Sequence, residues 1–267
     1  MILSRRPFLA AAAAAITALT LLGCASEHAR PMAARAVLAP SGALRVGLYR
    51  CSPSSILIGP TPGAERGVGY DLGKALAARL DVPFEPVAFA KNADVLAGIE
   101  AGTLDVTFTN ESPARAKVMA FAPTFMAVEK SFLVGPGSPL ESLDVMHRPG
   151  LRIGVSEGSS TQGELAPDYP GAVLVPTPTL KAAAEMLRSG RLDAFATNKA
   201  ILFEMADSLP GSRVLAGHWG MEHFGAAIPK SHAQQLGAVS AFVDAAIADS
   251  TVARAISRAG LRGTVAP

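Results

Sequence analysis

Arg115 stands in a proline-led turn, Ser112-Pro113-Ala114-Arg115, just before a stretch that is almost wholly apolar through Phe125. A guanidinium stays charged at any working pH, and its planar fork of donors suits two-point capture of a carboxylate. The competing reading is an ordinary ion pair with a neighbour such as Glu111. A second anion-directed feature is Ser159-Ser160, which precedes a short helical segment holding Gln162 and Glu164. Unpaired backbone N–H groups and the positive end of the helix dipole favour an anion there, although a serine at that place also serves as a plain helix cap. Asn110 and Asn198 each end an apolar, strand-like segment. From there they are expected to line a cleft, to cap the helix that follows, or both.

Gly154-Val155-Ser156-Glu157-Gly158 matches the G-x-S-x-G nucleophile elbow of hydrolases, with Asp193 and then His218, His223 or His232 following in the order serine, acid, histidine. Against that reading, the segment after it, "STQGELAPDYPG", is polar and broken by Pro167, and no HGGG-type oxyanion segment comes before it. His218 and His223 are offset wrongly for one helical face, so no metal site is expected. With no glycine-rich phosphate loop, no cofactor is expected either. Trp219 is expected to pack rather than stack a ligand.

The elements that would position these residues show themselves as an internal repeat. "LRVGL" at 44–48 returns as "LRIGV" at 151–155, and "GTLDVTFTN" at 102–110 returns as "GRLDAFATN" at 190–198. Each second motif follows a helix-like segment, "NADVLAGIEAG" or "TLKAAAEMLRSG", that stops at a glycine able to take a left-handed backbone. Each half therefore reads strand, helix, helix, strand. Short strands alternating with helices predict mainly parallel α/β sheets, here in two Rossmann-like lobes, with any ligand at the carboxyl ends of the strands. "EKSFLVG" (129–135) and "HFGAAIP" (223–229) read as strands that cross between the lobes and form a hinge. On this basis lobe 1 comprises 43–130 plus 224–267, and lobe 2 comprises 131–223.

The amino terminus reads as an address. Ser4-Arg5-Arg6-Pro7-Phe8-Leu9 resembles a twin-arginine export signal, and the short apolar run ending in Leu21-Leu22-Gly23-Cys24 resembles a lipobox. Lipidation at Cys24 would tether the chain to a membrane that it does not span. The alternative, a membrane-spanning helix, is opposed by an apolar run short for ~30 Å of hydrocarbon. Residues 25–42, which lack periodicity, read as a tether. With Cys24 lipidated, only Cys51 of the two cysteines remains, so no intrachain disulfide can form. A net charge of +2 lacks the basic excess that nucleic-acid binding calls for.

Taken together, the chain resembles a bacterial extracellular solute-binding protein of family 3. The resemblance rests on Gly69-Tyr70-Asp71-Leu72, Ser112-Pro113-Ala114-Arg115-Ala116-Lys117-Val118 with Phe121 and Pro123, Gly158-Ser159-Ser160, Gly190-Arg191-Leu192-Asp193-Ala194, and Phe224-Gly225-Ala226-Ala227-Ile228. It implies a type II periplasmic binding fold, a periplasmic and monomeric protein, and delivery of a small carboxylate-bearing ligand to the permease of an ABC importer. It also implies that Arg115, Ser159 and Ser160 clamp the carboxylate and that Asn110 touches the ligand. Many amino-acid binders of the family carry an aspartate where Asn198 stands, to meet the ligand ammonium. Its loss makes an ordinary α-amino acid a doubtful ligand and favours a keto acid, a dicarboxylate or a modified amino acid, unless Asp71 or Glu157 supplies a displaced acid. The first cleft strand departs from the family as well: where members usually cover the ligand with an aromatic residue, "YRCSPSSILIGPTPG" offers Tyr49 and small polar residues. Two further readings on the same fold are a dehydratase-like enzyme acting through Glu157, and a ligand sensor or partner-docking module.

Overall fold

The computed structural model describes residues 35–265. In chain order, β1 (Leu44–Tyr49), α1 (Val68–Arg79), β2 (Phe84–Phe89), α2 (Asn92–Glu100), β3 (Val106–Asn110) and the short β4 (Met119–Phe121) lead to a long strand, β5 (Met126–Val134). Then come β6 (Arg152–Ser156), α3 (Thr161–Asp168), β7 (Val173–Thr177), α4 (Leu180–Arg188), β8 (Ala194–Asn198), α5 (Lys199–Asp207) and β9 (Arg213–Val214). A second long strand, β10 (Gly220–Pro229), is followed by α6 (Leu236–Ala248), α7 (Thr251–Ala259) and β11 (Thr264–Val265). The main strand order is β2-β1-β3-β10-β5-β8-β6-β7. Within each lobe the repeated strands run parallel, as β2-β1-β3 and as β7-β6-β8.

The repeat has a physical basis. Asp105 accepts three hydrogen bonds from Arg45: the backbone N at 2.8 Å, Nε at 3.0 Å and Nη2 at 2.6 Å. Asp193 does the same for Arg152, at 2.7, 3.0 and 2.7 Å. Gly47 and Gly154 leave room for Leu104 and Leu192, since a Cβ on either glycine would lie 2.6 or 2.5 Å from the leucine Cδ1. The Arg-x-Gly of one motif and the Leu-Asp of the other thus form a single knot that closes each strand–helix–strand unit. Each lobe holds a middle strand that the repeat did not reveal, so the order is strand, helix, strand, helix, strand. β2 and β7 carry Pro86 and Pro176, which blur a strand pattern. Both strands lie at the ends of the sheet order, where a residue without an N–H is tolerated.

Two strands join the lobes. β5 pairs with β10 from Met126 to Lys130 and with β8 from Lys130 to Val134, so it serves both lobes. β10 pairs with β5 from Gly220 to Phe224 and with β3 from Phe224 to Ala227. A third segment reaches this region: β11 pairs with Ala127 and Val128, and Arg262 binds Asp207 of α5 at 2.5 Å. Trp219 packs here too, its Nε1 donating to the Ser131 carbonyl at 3.1 Å, with the Lys130 ammonium 4.5 Å above its ring.

The first lobe buries Leu44, Val46 and Leu48 against Leu72 and Leu76 of α1 and Phe242 and Val243 of α6. The second buries Phe132, Ile153 and Val155 on one face of its sheet, and Leu187, Phe195 and Leu202 on the other. Leu38 and Ala39, expected in a tether, are 1% and 4% exposed and belong to the first core. These two apolar side chains gain more from the core than from water, so the end of the expected tether packs on the lobe at Leu38 and Ala39. Among the described residues, no single helix is long and apolar enough to cross a membrane. The export signal and Cys24 lie outside the described residues.

Candidate functional site

Parallel strands deliver their carboxyl ends to one side of a sheet, and there the two lobes face each other across a cavity. Asn110 ends β3 and Asn198 ends β8, and both line it, together with Tyr49, Arg115, Ser156, Ser159 and Glu222. The lobes also touch directly. Asn110 Nδ2 donates to Ser160 Oγ at 3.1 Å, and Asn92 Nδ2 donates to the Gly158 carbonyl at 3.4 Å. Gly158 makes this approach possible. Its φ is +74°, and a Cβ there would lie 2.8 Å from the Cβ of Ala93.

One pole of the cavity is cationic. Arg115 is 6% exposed, set on a single 3-10 turn after Pro113. Its Nη1 donates to Thr109 Oγ1 at 2.8 Å, to the Asn110 carbonyl at 2.9 Å and to Asn110 Oδ1. All its side-chain hydrogen bonds among the described residues run from Nη1, leaving Nη2 and Nε uncommitted. No ion pair of Arg115 is formed among the described residues, and Glu111 is exposed. Burial pulls the guanidinium below its ordinary value, while the charges of Glu222 and Glu164 oppose this. At the same pole α3 begins after Ser160. The hydroxyls of Ser159 and Thr161 there are buried without a hydrogen-bond partner. Unsatisfied donors at a helix N-terminus beside a buried cation form a site for an anion.

The other pole is acidic, and pattern reading did not find its key residue. Glu222, on β10, is 7% exposed and lines the cavity. Asn198 Nδ2 donates to its Oε2 at 2.8 Å, while Asn198 Oδ1 accepts from Ile201 N–H at 3.1 Å and caps α5. Burial raises the carboxyl pKa, opposed by the Asn198 hydrogen bond and by the charges of Lys130 and Arg115. The two matched asparagines therefore do opposite work. Asn110 turns its amide oxygen to a cation, and Asn198 turns its amide nitrogen to an anion. Glu222 was missed because it comes from a crossing strand outside the repeat. The one available signal was an acid beside His223, just ahead of the apolar and small run Phe224–Pro229 of that strand.

Three expected acids lie elsewhere. Asp71 is bound by Arg258 of α7 in an ion pair on the outer side of α1, and it does not line the cavity. Helix α1 turns its apolar face to the sheet, which leaves Asp71 for the helix packed against its other side. Glu157 is exposed on the turn after β6 and is not among the residues that line the cavity. Asp193 is held by Arg152. Ser156 does line the cavity, but among the described residues no histidine does. His218 pairs with Glu129 at 3.1 Å and His223 is exposed, so the hydrolase triad is not assembled. Tyr49 lines the cavity. Burial pushes its phenol up to about 12, so it stays protonated.

Known proteins of this shape share the whole architecture. A mutant of ArgBP from T. maritima superposes with a TM-score of 0.74 at 21% identity, covering 84% of this chain and 98% of that one. An ancestral arginine-binding protein bound to glutamine gives a TM-score of 0.72 at 22% identity, covering 81% and 97%. In sequence, the ABC transporter glutamine-binding protein GlnH of Bacillus subtilis (strain 168) is 25% identical over 178 residues. That match spans 64% of this chain and 64% of the relative, a little under two thirds of its length. The family model of the bacterial extracellular solute-binding proteins, family 3, matches residues 44–259, and the chain belongs to that family.

Proposed function

We propose that this protein captures an α-amino acid as its zwitterion between two closing lobes and presents it to the permease of an ABC importer. The observation that carries this reading is the pairing of two buried, opposite charges in one cavity. Arg115 offers a free edge to a carboxylate, and Glu222, oriented by Asn198, offers an oxygen to an ammonium. Ser159, Ser160 and the first N–H groups of α3 complete the carboxylate clamp, and Asn110 holds Arg115 in place. The neutral Asn198 argued against ordinary amino acids only while the pocket lacked an acid of its own. Glu222 supplies that acid from the hinge. GlnH, by its name, binds glutamine within an ABC transporter, and the ancestral arginine-binding protein holds glutamine, which agrees with an amino-acid ligand.

Residues 43–130 with 224–267 form one moving body, preceded by residues 35–42, and 131–223 form the other, with β5 and β10 as the hinge. The mature protein acts as a periplasmic monomer anchored by lipid at Cys24. Metabolic labelling with palmitate, lost in Cys24→Ala, tests the anchor. Calorimetry on residues 25–267 with Cys24 omitted tests the ligand: an amino acid should bind, its keto-acid analogue should not, and Arg115→Ala should abolish the heat. Keto acid bound as tightly as amino acid would remove Glu222 from the site.

A further inference from the structure

The segment from Arg50 to Arg66, between β1 and α1, serves two spaces. Ser52, Ser54 and Ser55 line the cavity between the lobes, whereas Arg50, Cys51, Leu57, Ile58 and Arg66 line a separate groove. The rest of that groove comes from the second lobe, from Leu180, Lys181 and Ala184 of α4 and Met205 of α5. Its volume of about 850 Å3 falls within the ~300–1,000 Å3 usual for a small-molecule site. Backbone pairing fixes the first-lobe wall. Arg50 and Ser52 bridge to Ile56, and Leu57 and Arg66 exchange N–H···O bonds of 2.6 and 3.1 Å.

The lining combines apolar surface with unpaired positive charge. Ile58, 55% exposed, faces the same space as Leu180 and Met205 at the edge of the second core. The groove holds four cations against two acids. Of these, Arg188 is paired with Glu185, and Glu204 faces Arg262 of the C-terminal segment at 3.7 Å. Arg50, Arg66 and Lys181 are exposed and form no ion pair or side-chain hydrogen bond among the described residues. The excess of positive charge is therefore contributed by both lobes.

Independently of the amino-acid reading above, we infer that this groove is a second ligand site, for a small organic anion with an apolar body, such as a medium-chain carboxylate. The carboxylate meets Arg50, Arg66 and Lys181, and the chain lies on Leu57, Ile58, Leu180 and Met205. A cation of the same shape finds no unpaired acid there, since Glu185 and Glu204 are both engaged. An anion without an apolar body gains only a weak, salt-screened surface attraction. Because the cations come from different lobes, the full site exists only where the lobes come together.

Cys51 reports occupancy directly, since it is exposed, lines the groove and is the only cysteine once Cys24 is omitted. Residues 25–267 without Cys24 are alkylated with iodoacetamide in the presence of decanoate, octanoate, acetate or decyltrimethylammonium, each below its micelle-forming concentration. Decanoate should protect Cys51 at a concentration at least about tenfold lower than decyltrimethylammonium does. Octanoate should need about fourfold more for each methylene lost, and acetate should not protect. Arg66→Glu and Lys181→Glu, one on each lobe, should each raise the half-protecting concentration of decanoate about fivefold without lowering Tm. Arg115→Ala should leave it unchanged. Equal protection by the anionic and cationic chains, or none by either, would overturn the inference. So would protection that survives both charge reversals, or that is lost in Arg115→Ala, which would move the anion to the cavity between the lobes. Alkylation that slows with protein concentration alone would make this face a contact between copies. Shielding by phosphatidylglycerol vesicles but not by free decanoate would make it a membrane-facing surface. Either result refutes a small-molecule site.

Discussion

Glu222→Gln separates binding from stability in a way that a merely structural carboxylate could not. The side chain is 7% exposed, and Asn198 Nδ2 holds it at 2.8 Å. Glutamine keeps the volume and an acceptor oxygen for Asn198, and removes only the charge. An ammonium facing it loses a charge-assisted bond inside a buried site, which costs ~2–5 kcal/mol. At 1.4 kcal/mol per decade, that is a loss of roughly 30-fold to over 1,000-fold in Kd. Stability should move the other way or not at all. Burial raises the Glu222 pKa, so the fold favours the neutral acid. A carboxyl with a raised folded pKa gives its full contribution below its unfolded value near ~4.3, and loses it as pH rises through the folded value. Above that window the wild type carries the cost of a buried anion, so the glutamine variant should melt at the same temperature or higher at pH 8.

The same raised pKa predicts a proton balance. An ammonium placed against Glu222 draws its pKa down, so binding should release a fraction of a proton at pH values near the ligand-free pKa. Calorimetry in buffers of different ionisation enthalpy measures that fraction, which should be zero in Glu222→Gln. A variant that binds within threefold of wild type would remove Glu222 from the ligand. One that binds weakly because it melts several degrees lower would make Glu222 a structural residue instead.

Gly158→Ala places a Cβ 2.8 Å from the Ala93 Cβ at a φ of +74°, so closure should cost ~1–3 kcal/mol; ligand affinity should fall roughly 5-fold to over 100-fold at that cost, with small-angle scattering showing a more open particle in the presence of ligand. Asp105→Ala breaks an ion pair whose carboxylate is 1% exposed; at ~3–5 kcal/mol for a buried pair and ~2–4 °C per kcal/mol, Tm should drop by roughly 10 °C. Asp193→Ala, at the matched but more exposed position, should cost clearly less than Asp105→Ala by the same melting assay. The Arg152 guanidinium holds the Asp193 carboxyl below its ordinary range, so its contribution is present at neutral pH and lost as pH falls through that depressed value; Asp193→Asn should flatten the stability profile on the acid side, below about pH 4, and leave the alkaline side unchanged.

The repeat was legible because its residues are bound by local geometry that a sequence must satisfy twice. Arg45 with Asp105, Leu104 over Gly47, and the glycine stop after each helix are needed wherever that strand–helix–strand unit is built. Arg115 was legible for a related reason, since a guanidinium before an apolar run raises a question whatever surrounds it. β2 and β7 were not legible. A strand at a sheet edge can carry a proline, and the proline then erases the pattern by which strands are read. Glu222 was hidden by topology. Its neighbours in sequence belong to a strand, and only the crossing of that strand between lobes brings it to Asn198.

The duplicated scaffold and the asymmetric site are consequences of one arrangement. Repetition places the same residue, asparagine, at the mouth of each lobe, and an amide has both an acceptor and a donor end. What differs is the charge each asparagine meets. The turn after β3 brings Arg115 under Asn110, and the returning strand brings Glu222 beside Asn198. Two similar lobes thereby present a cation and an anion to one cavity. A zwitterion has a carboxylate and an ammonium fixed on a single carbon, so it can meet both charges only when the lobes come together. Single-charge ligands would leave one buried charge uncompensated in the closed form, at a cost the open form does not carry. Closure should therefore discriminate more strongly than binding to either lobe alone. In scattering experiments, a keto acid held weakly through Arg115 should leave the particle open, whereas an amino acid should close it. Full closure around the keto acid would show that Arg115 alone drives the hinge and that Glu222 only adds affinity.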